Sequence, residues 1–203
     1  MSWDAGTRVL ARDEYIGPLI RACGPLKHRQ DKCYFRTLVW SIIAQQISSK
    51  AAESISRRVR KHVRYVTPAR VVAVPYAQLR ALGLSNQKAS YVHDVASKFL
   101  DKTITPRRFH SMSDEAIIAE LVQVRGIGRW TAEMFLIFSL CRDDVWPVDD
   151  LGIQKAVQRA LKLKTLPNKK RMQRIGEQWR PYRSVASMYL WRSLDGKEVT
   201  TRG

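Results

Sequence analysis

Two neighbouring carboxylates, Asp149 and Asp150, follow a rigid Trp146-Pro147 pair and lead into an amphipathic run with Leu151, Ile153, Val157 and Leu161. An acid at such a helix start has two uses. It can cap the helix by accepting backbone N–H groups. It can also stay charged beside the positive end of the helix dipole, which suits a general base or a stabiliser of a developing cation. Spacing leaves open which aspartate faces a substrate, and capping is the plainer role for Asp149.

Residues 121–132, Leu-Val-Gln-Val-Arg-Gly-Ile-Gly-Arg-Trp-Thr-Ala, hold chemistry of another kind. Two glycines flank one apolar residue between two helical patterns. Glycine permits backbone angles and close approaches that side chains forbid. The amides of Gly126 and Gly128, at the start of the next helix, would address a phosphate. Ile127 would plug the turn into the core. A simple helix–turn–helix connection has the same letters.

Two more segments are candidates for ligand contact. Gln45-Gln46-Ile47 ends an apolar helix, and Ser48 or Ser49 can cap the next. This pair of amides is either an exposed polar junction or a probe of a base stack. Between Trp179 and Trp191, several aromatics crowd one helix. Such a stripe is ordinarily core, but one aromatic at its end could stack on a nucleobase.

The chain that must position these residues has 203 of them, enough for one domain or two small ones. Thirty-six Lys and Arg oppose eighteen Asp and Glu, a formal net charge of +18 at pH 7. A surplus of this size fits a polyanionic partner. Arg57, Arg58, Arg60, Lys61 and Arg64 form one basic cluster and Lys169-Lys170-Arg171 another. Either is a DNA contact or a solvated face. No apolar run reaches the ~18 residues of a membrane span, and no secretory signal is expected. Three dispersed cysteines exclude a four-cysteine cluster within these residues and point to a reducing compartment. The four histidines form no metal-binding pair.

Periodicity is helical throughout. Phe35, Leu38, Val39, Ile42 and Ile43 make an apolar stripe. Thr67-Pro68, Thr105-Pro106 and Ser113-Asp114-Glu115 read as helix starts. Pro75 opens a short helix that Gly83 closes, and Pro181 starts the last one, ending near Leu194. With no alternating strand pair, about ten helices are expected.

Taken together, the four segments resemble the helix-hairpin-helix superfamily of DNA glycosylases, and within it the 3-methyladenine DNA glycosylase II branch, over residues 30–194. Specific to it are Val-x-Gly-Ile-Gly-Arg-Trp-Thr-Ala, Asp-Asp some twenty residues later, and Trp-Arg-Pro-aromatic-Arg-Ser near the end. The resemblance implies an all-α fold, two helical subdomains flanking a cleft, with a helix-hairpin-helix motif. It makes residues 1–203 one glycosylase domain. Subdomain A spans about 30–145, with the hairpin at 113–141, and subdomain B joins about 1–30 to about 146–194.

The same resemblance implies the site. Asp150 matches the catalytic aspartate and Asp149 its non-catalytic neighbour. Trp130, Trp191, Met134 and Leu151 line the base pocket. Gln46 matches the wedge, with Ile47 beside it, and Gly126, Ile127, Gly128, Arg129 and Thr131 contact DNA. The carbonyls of Val122, Val124 and Ile127 match positions that hold a monovalent Na or K ion. No cofactor is required. Trp130 stands where strand-nicking relatives carry a lysine, so no Schiff base is expected there.

The implied activity is monofunctional excision of alkylated bases, of the 3-methyladenine and 7-methylguanine type, from double-stranded DNA. The alternatives are a non-catalytic lesion-binding protein and a glycosylase for mismatched or deaminated bases. A monomer is expected, with no membrane association, in the cytoplasm of a bacterium or archaeon or in a eukaryotic nucleus.

Overall fold

A computed structural model describes residues 3–26 and 30–194. His28 lies outside them. The described residues contain helices and no strand. In chain order the α-helices are α1 (Asp4–Leu10), α2 (Ile16–Cys23), α3 (Tyr34–Ala44), α4 (Ser49–Val63), α5 (Pro68–Val72), α6 (Tyr76–Ala81), α7 (Asn86–Leu100), α8 (Asp114–Leu121), α9 (Arg129–Phe138), α10 (Leu151–Ala160), α11 (Lys169–Gly176) and α12 (Arg183–Arg192). Short single-turn helices such as α5 raise the number above the expected ten. No described helix is long and apolar enough to cross a membrane.

Local chemistry explains most starts. Ser48, Thr67 and Ser113 each sit in extended backbone and accept an N–H three residues on, from Ala51, Arg70 and Ala116. Each bond satisfies a donor that has no partner inside the helix. Pro75 precedes α6, and Gly83 follows it at φ 104°. Two expected starts differ. Thr105-Pro106 opens only a 3-10 turn, Pro106–Arg108, because the Thr105 hydroxyl donates back to the Lys102 carbonyl instead of capping. The last helix begins at Arg183 rather than Pro181. There the Ser184 N–H donates to the Asp143 carbonyl and the Arg183 side chain is bound to Asp144, which holds the entry.

The chain forms two compact units, one from residues 31–135 and one from the described parts of 1–30 and 136–203. In the first, α7 packs against α3, α5 and α6. All five residues of the α3 stripe are buried there, as are Ala89, Val92, Val95 and Ala96 of α7. Tyr34, Phe109 and Phe135 form an aromatic cluster with ring centroids 5.6–5.9 Å apart. In the second unit, α12 packs on α1, α2 and α10. Its core holds Trp146, Trp179 and Tyr189, and the Trp146 ring fits against Gly176, where a Cβ would come within 2.5 Å. The switch between units falls at 135, inside α9, rather than near 145. The end of α9 belongs with the second unit because Phe138 stacks on Trp191 and the Arg142 N–H caps the Leu136 carbonyl.

Candidate active site and nucleic-acid interface

Of the two aspartates, Asp150 is the cap. It has extended backbone at the start of α10, and its Oδ1 accepts the Ile153 N–H at 2.7 Å. Asp149, the plainer candidate for capping, is instead exposed and paired with Lys169 at 2.7 Å. The reason is one residue of register: only Asp150 precedes the first helical residue, so only its side chain can reach back over the first turn. Asp150 is 8% exposed. The Trp191 indole N–H donates to the same Oδ1 at 2.9 Å. Two donors on one oxygen fix the plane of the carboxylate. Gly152 keeps this pair intact, since a Cβ there would stand 3.0 Å from Oδ1 and 3.3 Å from the Trp191 ring.

Trp191 is held from its other side. Phe138 stacks on it with ring centroids 5.7 Å apart and planes 26° from parallel. Phe138 was not legible as a site residue, although it lies eight residues after Trp130. That spacing puts Trp130, Met134 and Phe138 on one face of α9. Trp130 and Phe138 are exposed, Met134 is half-buried, and Leu151 is exposed beside Asp150. The aromatic stripe near the C-terminus is therefore divided: Trp179 and Tyr189 are core, while Trp191 is a partly exposed partner of the carboxylate.

In the other unit, α8 ends at Leu121 and α9 starts at Arg129, with the two glycines between. Their jobs differ. Gly126 has φ 84°, and a Cβ on it would lie 2.1 Å from the Tyr91 ring. Gly128 has no such backbone requirement, and nothing stands within 4 Å of a Cβ there, so that side of the turn is open. Ile127 is buried and its N–H donates to the Val124 carbonyl, as an anchor for the turn should. Thr131 is buried in the first turn of α9. Val122 is exposed and Val124 buried.

Arg129 is bound by two acids of its own unit. Its guanidinium makes a bidentate pair with Glu115 and a 3.0 Å bond to the buried Glu133. Hydrogen bonding from Arg129 holds the Glu115 carboxyl below its ordinary range. This side chain therefore ties α8 to α9 within the hairpin.

The α3–α4 turn carries Gln46, the expected wedge, with Ile47 beside it. Gln46 and Ile47 are exposed, and Gln46 sits at φ 57°. That region costs a non-glycine residue about 1–2 kcal/mol, so neighbouring bonds must hold the turn. The basic clusters are partly committed. Arg58 donates to the Leu82 carbonyl, Arg57 pairs with Glu53, Arg60 lies over the Trp40 ring, and Lys169 holds Asp149. Lys170 and Arg171 are exposed at the start of α11.

Comparison with known proteins decides what frame these residues share. The family profile of HhH-GPD superfamily base excision DNA repair proteins matches residues 39–181. The chain belongs to the HhH-GPD superfamily. Its match begins in α3 and runs through the hairpin and Asp150 to Pro181. Within this family the chain is 33% identical over 188 residues to DNA-3-methyladenine glycosylase 1 of Schizosaccharomyces pombe, covering 89% of this chain and 82% of that protein. It is 27% identical over 157 residues to DNA-3-methyladenine glycosylase 2 of Escherichia coli, of which it covers 52%. The structure of the Schizosaccharomyces pombe 3-methyladenine DNA glycosylase in complex with abasic DNA superimposes with a TM-score of 0.84, at 29% identity, over 95% of this chain and 98% of that one.

Proposed function

We propose that this protein is a monofunctional DNA glycosylase that everts alkylated bases of the 3-methyladenine and 7-methylguanine type and hydrolyses their bond to deoxyribose, leaving an abasic site. The observation that carries this reading is the Asp150 carboxylate, capped onto α10 and oriented by the Trp191 indole. The DNA-3-methyladenine glycosylases among its relatives support it.

A glycosidic bond inside a duplex is out of reach, so the nucleotide must rotate out, at a few kcal/mol for unpairing and unstacking. Backbone amides of the hairpin turn, at Gly126 and Gly128, grip phosphate, with Ile127 anchoring the turn and the open side of Gly128 as the approach. Arg129 orders the first turn of α9 through its two carboxylates. Gln46 and Ile47 enter the stack the base has left. Lys170 and Arg171 add charge, each phosphate contact contributing about −0.9 to the log–log salt slope.

Alkylation at a ring nitrogen makes the base cationic, so it leaves as a neutral molecule. A cationic ring also prefers aromatic faces, by about 0.5–2 kcal/mol, and Trp191 beside Asp150 offers one, with Leu151 as apolar lining. The sugar develops oxocarbenium character as the bond breaks. Asp150 stabilises that charge and takes a proton from the attacking water. The base departs with the bonding electron pair, and water supplies the hydroxyl on the sugar. This chemistry requires no organic cofactor or catalytic metal. The carbonyls of Val122, Val124 and Ile127 lie in or beside one tight turn. Neutral oxygen donors suit Na or K, and a carbonyl that accepts an N–H, as Val124 does, has a second lone pair. Such an ion would hold a phosphate oxygen.

Defined duplexes test the reading. Base release is expected from a duplex with one 7-methylguanine and not from adenine or thymine mismatches. The strand should stay whole until alkali is added, and borohydride should trap no protein–DNA adduct, because Trp130 cannot form a Schiff base. Release from mismatches alone, or a trapped adduct, contradicts it. Trp191→Phe keeps a stacking ring but removes the N–H that orients Asp150. Its single-turnover excision rate is expected to fall about tenfold, the worth of one hydrogen bond to a charged group. An unchanged rate would remove Trp191 from the orientation of Asp150.

A further inference from the structure

Helix α7 bonds to both turns that the proposed function places on DNA. The Lys88 ammonium donates to the carbonyls of Ile43 at 2.7 Å and Gln45 at 2.6 Å. These lie at the C-terminal end of α3, where carbonyls lack helical partners and the dipole favours a cation. Three residues on, the Tyr91 ring lies against Gly126 and fills the space a Cβ would need. Three further on, Asp94 accepts the Arg125 N–H at 2.8 Å and pairs with the Arg125 guanidinium at 3.4 Å. Gln45 closes the circuit, its side-chain amide donating to the Gly126 carbonyl at 2.8 Å. About 9 Å of one helix thus holds the turn before α4 and the turn before α9 at a set offset. None of these four side chains has a part in the chemistry described above.

We propose that Lys88, Tyr91 and Asp94 of α7, with Gln45, are positioning residues that fix the register between the wedge turn and the hairpin, and thereby set how efficiently a paired base is everted. The proposal rests on the reading of Gln46 as wedge and of the hairpin as phosphate grip. Eversion needs both at once: the hairpin holds the backbone while Gln46 occupies the gap. Lys88 acts through Gln46 rather than on DNA, since its ammonium is bonded to carbonyls. A shift of about 1 Å between such elements can cost about a hundredfold in rate. The left-handed backbone of Gln46 makes the turn dependent on these outside bonds.

Lys88→Met keeps the stem and removes both donors. Single-turnover excision of 7-methylguanine is measured from a fully paired duplex and from the same strand with the lesion in an unpaired bubble. In the bubble the base is already unstacked and needs no wedge. The expected loss is about tenfold or more on the paired duplex and less than about threefold on the bubble. Lys88→Arg, which can reach the same carbonyls, is expected to recover most of it. Affinity for undamaged duplex and its salt slope stay unchanged, since no phosphate contact is lost. Gln45→Met cuts the tie to Gly126 and is expected to show the same paired-over-bubble pattern; it serves alone if Lys88→Met folds poorly. Gln46→Ala is run beside them. Equal losses on both substrates, or a loss in Gln46→Ala alone, overturn the proposal and leave the wedge reading standing. An unimpaired Gln46→Ala overturns the wedge reading, and the proposal with it.

Discussion

Asp150→Asn is expected to lower the rate of alkylbase excision by roughly 10²–10⁴-fold while leaving the fold and DNA binding in place. The substitution separates the two roles of this side chain. Asparagine is as good a cap as aspartate, and its oxygen can still accept the Ile153 N–H and the Trp191 indole N–H that Asp150 Oδ1 accepts. The negative charge alone is lost. An amide neither stabilises an oxocarbenium-like sugar nor takes a proton from water. The measurement is single-turnover release of 7-methylguanine, with thermal denaturation of the same preparation as the control on folding. A rate within about threefold of the parent's, where the carboxylate should supply 10²-fold or more, would remove Asp150 from the reaction.

The second large effect is expected at Gly126. An alanine there must adopt φ 84° and place its Cβ 2.1 Å from the Tyr91 ring, an overlap that cannot persist. The left-handed backbone costs about 1–2 kcal/mol and the overpacking about 1–3 kcal/mol. The melting temperature is expected to fall by about 5–15 °C. Affinity for DNA should fall with it, because relieving the clash moves the turn whose amides are proposed to grip phosphate. Gly128→Ala is the control: it meets nothing within 4 Å, so its effect on stability should stay within about 0.5 kcal/mol. Thermal melts and binding isotherms of the two variants decide it. A Gly126→Ala protein as stable as its parent would mean that the turn tolerates a side chain where the structure leaves no room.

What could be read in advance follows the range of the physics. Thr67 and Ser113 were legible as caps, and Ser48 as one of two adjacent candidates, because a cap is a bond across three residues. The α3 stripe was legible because burial repeats with the helical period. The choice between Asp149 and Asp150 was not settled by the residues themselves, since both stand beside the same helix. It depends on which residue has extended backbone, a matter of one position. Thr105 misled because its hydroxyl had a second local partner, the Lys102 carbonyl. Helical spacing places Phe138 on the face of Trp130, but what gives it a part in the site is its stacking on Trp191, more than fifty residues away. Lys88 lay beyond any pattern: its bonds reach back forty-three and forty-five residues. Nothing near it in the chain marks it as different from the other lysines of a strongly basic protein.

The most direct test of the whole account follows the methylated bases themselves. DNA bearing isotopically labelled N-methyl groups is incubated with the protein, and the label leaving the polymer is separated by chromatography against a protein-free control. Label is predicted to appear as free 3-methyladenine and 7-methylguanine, rising with protein and time, with one abasic site formed per base released. Tight binding to the methylated DNA with the label retained on the strand would contradict the account.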